Sequence, residues 1–217
     1  IGSSPCTPFS QLQSLNPKTR DSERKLKEGI EHMRFLAKLY KIQVDQGRVF
    51  LHEQPAHAKS WMIPEIRNMM IEAGVTVVET DECMYGLKTT GKERKSVVPA
   101  KKLTKFMTNS RALGQELSKS CDGKHTHQSL VDGRAQLAAR YPTGLCKAIC
   151  RGIIKLKRER QEVIRNVASI TDTVRHRLRD PEEFHEESEA RIPMHHLNTM
   201  TEHRLNKLTC HKSHAGE

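Results

Sequence analysis

An α/β fold is predicted for this chain by three observations. Short apolar runs of strand length, Val49-Phe50-Leu51 and Val75-Thr76-Val77-Val78, follow closely on Gly47 and Gly74. The segments before them place apolar residues every three or four positions, the period of a helix with one buried face. The resulting alternation of strands and helices points to a sheet covered by helices. With 217 residues, the chain can bury one core, or one core plus a helical extension.

Each element has its own signal. A short N-terminal strand ends at Ser4-Pro5-Cys6-Thr7-Pro8, because two prolines forbid its continuation. Residues 11–20 read as a polar linker around Asn16-Pro17. A helix over 21–46 carries Ile30, Met33, Leu36, Ala37 and Tyr40 on one face, with Asp21 or Ser22 as its cap and Gly47 as its stop. A strand over 48–52 has its carboxyl end at Glu53. A helix over 60–73 displays Trp61, Ile66, Met69, Met70 and Ala73, and a strand over 75–79 follows. Residues 84–102 read as a long basic loop, with seven Lys or Arg (counting Lys105 just beyond) against the single acid Glu93. A strand over 103–108 and a helix over 111–119 close the α/β part.

From Tyr141-Pro142 the pattern turns helical. Ile149, Ile153, Leu156, Ile164, Val167, Ile170, Val174 and Leu178 recur mostly at three and four until Asp180-Pro181. That is a helix of more than ~35 residues, about 50 Å long. Between Arg151 and Arg179 it holds nine basic residues against three acids. Three roles fit it: docking on its own domain, pairing as a coiled coil, or tracking phosphates. The organisation expected is an α/β part over 1–150, the basic helix over 151–180, and an acidic, then His-rich, poorly ordered tail over 181–217.

Composition narrows the function. The net charge is +11, hydrophobic residues make up 35% and aromatics 4%, so a globular part with a loosely packed remainder is expected. The charge favours an anionic partner, most simply nucleic acid. No apolar run approaches the ~20 residues needed to span a bilayer, and no signal peptide is visible. The six cysteines are widely spread and read as reduced thiols or metal ligands, as in an intracellular protein.

Two groups of residues carry candidate chemistry. Cys6 sits on a turn fixed by Pro5, and thiols are strong nucleophiles even when only a few per cent is thiolate; the alternative is a structural cysteine in a loop. Glu53 is placed where ligand-binding groups gather in open sheets, at the carboxyl end of a strand; the alternative is a solvated charge. The second group is Cys121-x-x-x-His125-x-His127, three metal ligands in seven residues. Cys83 completes a tetrahedral set of two thiolates and two imidazoles suited to zinc. Cys146 and Cys150, at i and i+4 on one helix, are another source of ligands. The spacing matches no standard finger, so a polar loop with a chance cysteine and two exposed histidines is the alternative.

The string Ser4-Pro5-Cys6-Thr7-Pro8-Phe9-Ser10 resembles the nucleophile motif of the cytosine-5 methyltransferases, written Pro-Pro-Cys-Gln-x-Phe-Ser. Pro5, Cys6, Phe9 and Ser10 are in register, while Ser4 and Thr7 depart from it. Glu53-Gln54 is similar to the family's Glu-Asn pair. Tyr85-Gly86, with Arg94 beyond it, resembles a further block that lacks its glutamine here. The resemblance implies a partial Rossmann-like methyltransferase sheet, S-adenosylmethionine as donor, DNA rather than RNA as substrate, and a nuclear location. It implies Cys6 adding to carbon 6 of cytosine, Glu53 bonding nitrogen 3, and Arg94 with Lys88, Lys92, Lys95, Lys101 and Lys102 holding phosphates or the extruded base. The family's donor-binding half precedes the Pro-Cys motif, so this chain is expected to be incomplete. Thr108-Asn109-Ser110 and Cys121-Asp122-Gly123-Lys124-His125 also look similar to methyltransferase-like regions of retrotransposon polyproteins, which implies, as an alternative, a non-catalytic nucleic-acid-binding segment.

Overall fold

The computed structural model describes residues 1–11, 13, 17–91, 96–131 and 134–179. Its centre is a four-stranded mixed sheet built from β1 (Gly2–Ser3), β2 (Leu51–Pro55), β3 (Thr76–Asp81) and β6 (Leu103–Thr108), in the order β1-β2-β6-β3. β1 pairs in parallel with β2, setting Ser3 opposite Glu53, and β6 runs antiparallel to both of its neighbours. A separate antiparallel ribbon joins β4 (Lys88–Thr90) to β5 (Val97–Pro99). The helices are α1 (Arg20–Asp45), α2 (Pro64–Met70), α3 (Arg111–Glu116), α4 (Arg134–Leu137) and α5 (Thr143–Arg179). The protein is therefore mixed α/β with a long C-terminal helix.

Side chains on a strand alternate between faces, and β2 uses both. His52 lies on one side, where Tyr40 of α1 and Trp61 meet it. There Met33, Leu36, Ala37 and Tyr40 of α1 pack with Phe9, Phe50, Ile66, Met69 and Met107. Leu51 packs on the other side with Phe106, Tyr85, Leu113 and Leu117, beneath Leu145, Ala148 and Ile149 of α5. Helices thus cover the sheet on both faces.

Several boundaries differ from the sequence expectation, each for a local reason. α1 is capped by Thr19, not Asp21 or Ser22: Thr19 Oγ1 accepts from the Ser22 amide at 3.1 Å, and Ser22 Oγ accepts from the Thr19 amide at 2.9 Å. This reciprocal pair satisfies two amides that a helix start otherwise leaves unpaired. The helix expected over 60–73 is split into a 3-10 turn (Lys59–Met62) and α2, because Pro64 holds Ile63 in extended geometry. The strand expected over 48–52 begins only at Leu51. The Asn109 side chain takes the place of a ladder partner, accepting from the Phe50 amide at 3.0 Å and donating to the Arg48 carbonyl at 2.8 Å. Because β2 runs on to Pro55, opposite Thr104, Glu53 stands in mid-strand rather than at the carboxyl end. The basic loop expected over 84–102 contains the β4–β5 ribbon, whose apolar anchors Leu87 and Ala100 meet Ala138.

α5 starts where the sequence predicts, after Tyr141-Pro142. Its first turns lie so close to the body that glycine is required. A Cβ on Gly144 would come within 2.2 Å of the Tyr85 carbonyl oxygen, and one on Gly152 within 2.7 Å of Leu113 Cδ2. The chain divides into two units, Ile1–Ile164 and Arg165–Glu217. The tail over 181–217 lies outside the described residues. No helix among the described residues is long and apolar enough to cross a membrane.

Two expectations follow. Gly144→Ala forces the helix start off a backbone carbonyl, so chemical denaturation of the full chain should show a loss of about 1–3 kcal/mol. His52 is fully buried, and burial pushes its pKa down from 6.5 to about 4. Between those values the unfolded chain binds the proton and the folded chain does not, so stability falls as pH drops from 6.5 toward 4. The loss, about 3 kcal/mol by the shift, should be visible in urea midpoints measured across that window and should shrink in His52→Gln.

Candidate functional site

Glu53 faces the α5 side of the sheet and is 95% buried at the point where three chain segments meet. Ser3 Oγ donates to its Oε2 at 2.7 Å from the paired strand, and the Tyr141 hydroxyl donates to the same oxygen at 2.8 Å from just before α5. The two hydroxyls lie 3.1 Å apart. Burial, followed by the neighbouring Glu53 charge, pushes the Tyr141 phenol well above its usual range, so it remains a proton donor. Oε1 takes no hydrogen bond among the described residues. One carboxylate oxygen is therefore gripped and the other left open.

Cys6 follows Ser3 by three residues, within about 10 Å of chain, and its side chain is exposed. It stands at the start of a 3-10 turn, Thr7–Phe9, closed by the Phe9 amide donating to the Cys6 carbonyl at 3.0 Å. Gln54 fixes the approach to this turn from the opposite face. Its Nε2 donates to the Ser4 carbonyl at 2.7 Å and lies 2.9 Å from Ser4 Oγ, while Ser60 donates to its Oε1 at 3.3 Å. β2 thus holds the Ser4-Pro5-Cys6 turn with Gln54 and the carboxylate with Glu53.

The basic candidates are distributed unevenly. Lys88 and Lys101 are exposed. Lys102 is committed inward: its ammonium pairs with the fully buried Glu82 at 2.9 Å and donates to the Ala138 carbonyl at 3.3 Å. Lys92, Arg94 and Lys95 lie outside the described residues.

The second cluster joins Cys83, Cys121, His125 and His127. Cys83 belongs to the 3-10 turn Glu82–Tyr85 that ends β3. The other three come from the loop beyond α3, which is anchored by the Cys121 amide donating to Asp81 Oδ2 at 2.8 Å. All four donor atoms lie within 4.8 Å of one another. Cys121 Sγ is 3.6 Å from His125 Nε2 and 3.5 Å from His127 Nε2, and His127 Nε2 is 3.3 Å from Cys83 Sγ. With metal–sulfur bonds of about 2.3 Å and metal–nitrogen bonds of about 2.0–2.1 Å, the sulfur–nitrogen edge of a tetrahedron is about 3.5 Å. These three sulfur–nitrogen distances are close to that edge, and the cluster could hold a metal ion. The Gly123 amide points at Cys121 Sγ from 3.4 Å, and Asp122 Oδ1 lies 3.9 Å from His125 Nδ1, a carboxylate on the outer nitrogen of a ligand histidine. Burial, then the neighbouring Cys121, pushes the Cys83 thiol up to about 11. Cys146 and Cys150 are exposed on α5 and have no place in this cluster.

Ser3 and Tyr141 were not identifiable as site residues from sequence. Neither belongs to a local motif, and their contacts to Glu53 span 50 and 88 residues. Comparison with protein-family models, curated proteins and solved structures finds no match. What the geometry defines is a mixed α/β protein with a hydroxyl-gripped carboxylate on its central strand and a metal-competent Cys/His cluster.

The cluster should take up one cobalt ion per chain, with the visible absorption of a tetrahedral thiolate–imidazole site. Cys121→Ser should abolish that spectrum, and Cys146→Ser should leave it unchanged.

Proposed function

We propose that this chain is a cytosine-5 methyltransferase-like protein that engages nucleic acid, with Cys6 as nucleophile and Glu53 as the group that steadies the ring. What supports the reading most is the parallel pairing of β1 with β2: it sets Ser3 beside Glu53 and delivers the exposed Cys6 thiol three residues on. Two parallel strands joined through a helix are the unit of doubly wound sheets, consistent with the motif similarity of Ser4 to Ser10.

In this reading the Cys6 sulfur bonds to carbon 6 of an unstacked cytosine. The thiol proton leaves to solvent, the π electrons of the carbon 5–carbon 6 bond move through carbon 5 to the nitrogen 3 edge, and nitrogen 3 takes up a proton carried on Oε1 of Glu53, which acts in this step as the carboxylic acid. Ser3 and Tyr141 hold the other oxygen, so the carboxyl cannot rotate away. The turn that follows β1, Ser4-Pro5-Cys6-Thr7-Pro8, contains no glycine and so is not a glycine-rich cradle for S-adenosylmethionine. The chemistry assigned to this chain is the addition step alone.

Zinc is the metal proposed for Cys83, Cys121, His125 and His127. Four protein donors leave no open coordination position, which suits a structural ion rather than a catalytic one. When bound, it supplies a cross-link between the end of β3 and the loop beyond α3.

A second reading, a nucleic-acid-binding segment without catalysis, is favoured by the net charge of +11 and the exposed Lys88 and Lys101. One experiment separates the two. A single-stranded DNA carrying 5-azacytosine has a more electrophilic carbon 6 and retains a thiol adduct without a donor. The methyltransferase-like reading predicts a covalent adduct at Cys6 that survives denaturation. It should be absent in Cys6→Ala and form about a hundredfold more slowly in Glu53→Gln. Tight, salt-sensitive binding with no adduct would instead establish the second reading.

A further inference from the structure

Beyond Ile153, α5 carries an apolar stripe that the described residues leave exposed. Val163, Val167, Ile170 and Val174 are spaced four, three and four apart, and each is 50% to 63% exposed. This is the heptad spacing of a coiled-coil seam, with Val167 and Val174 at one core position and Val163 and Ile170 at the other.

Three features say what covers it. The rim of the stripe is uncharged: Ile164, Asn166, Thr171 and Thr173 flank the seam. The charges of this stretch, Glu162, Arg165, Asp172 and Arg175, all fall on the outer positions of the heptad, where Arg175 lies 3.8 Å from Asp172. The two rim threonines also have their hydroxyls satisfied by their own helix. Thr171 donates to the Val167 carbonyl and Thr173 to the Ser169 carbonyl, both at 2.9 Å. Finally, the stretch is rich in β-branched residues, which are poor helix formers without a packing partner.

The uncharged rim rules out two alternatives. A phosphate surface, whether lipid or nucleic acid, would be met by lysine and arginine on the rim, and the rim has none. A partner recognised by charge finds no charge beside the seam. An identical helix in parallel register places each seam residue from Val163 to Val174 against its own copy, and over that stretch, which Arg160 and Arg177 bound on the same seam, no like charges face each other. We propose that residues 163–174 are a self-association seam, and that the occupant is a second copy of this chain. This inference does not depend on the methyltransferase-like reading.

Sedimentation equilibrium of the full chain over a range of concentrations tests it. The mass should be a multiple of the single chain and fall on dilution. Ile170→Glu buries a charge in the seam and should weaken association by about tenfold or more. Val167→Ala should also weaken it while raising helix content by circular dichroism, because alanine is the better helix former; loss of association then cannot be attributed to loss of helix. Asp172→Asn, on the outer face, should leave it unchanged. A single-chain mass at all concentrations, or equal weakening by Asp172→Asn, overturns the proposal. So does a single-chain mass accompanied by binding of the stripe to anionic vesicles or duplex DNA.

Discussion

One carboxylate oxygen organises the candidate site. Oε2 of Glu53 accepts from Ser3 on β1 and from Tyr141 just before α5. A buried carboxylate is tolerated only when hydrogen-bonded, and hydrogen bonds to a charged group contribute about 1.5–3 kcal/mol each. The N-terminal strand here is only two residues long. Its ladder bonds to β2 are few, so the Ser3 and Gln54 side-chain bonds carry much of its attachment. The same bonds place the Cys6 turn, which ties the chemistry proposed for Cys6 to the stability of this junction.

The metal-competent cluster and the carboxylate are linked through a buried charge pair. Glu82 precedes Cys83 in one 3-10 turn and accepts from Thr104 Oγ1 at 2.6 Å as well as from Lys102. The Lys102 ammonium also lies 6.0 Å from the centre of the Tyr141 ring. Removing one member of a buried pair leaves the other uncompensated, at a cost of about 3–5 kcal/mol. A metal ion on Cys83 would therefore brace the turn that holds Glu82, and through Lys102 the surroundings of Tyr141. Lys102 is part of this framework, which separates it from the exposed Lys88 and Lys101.

Much of this was legible because it is local. The strand Leu103–Thr108, the long helix after Tyr141-Pro142 and the apolar face of α1 all follow from spacing over a few residues. Three of the four cluster ligands fall within seven residues of one another, so the sequence could bring them together. What it could not supply is tertiary. Asn109 delays the start of β2 by capping Arg48 and Phe50 from the far end of β6, and nothing near residue 50 announces it. The β4–β5 ribbon is hidden by its basic residues, and its apolar anchors Leu87 and Ala100 meet Ala138 from a distant segment. Tyr141 reads as the edge of a helix; its hydroxyl acquires a role only when α5 packs on the sheet.

The most direct test of the account is a double-mutant cycle on folding stability, combining Tyr141→Phe with Glu53→Ala. If the phenol grips the carboxylate, the two substitutions couple by more than about 1 kcal/mol, because either one alone already breaks the shared bond. Effects that add to within about 0.5 kcal/mol would mean the two side chains do not meet, and the site built around Glu53 would have to be abandoned.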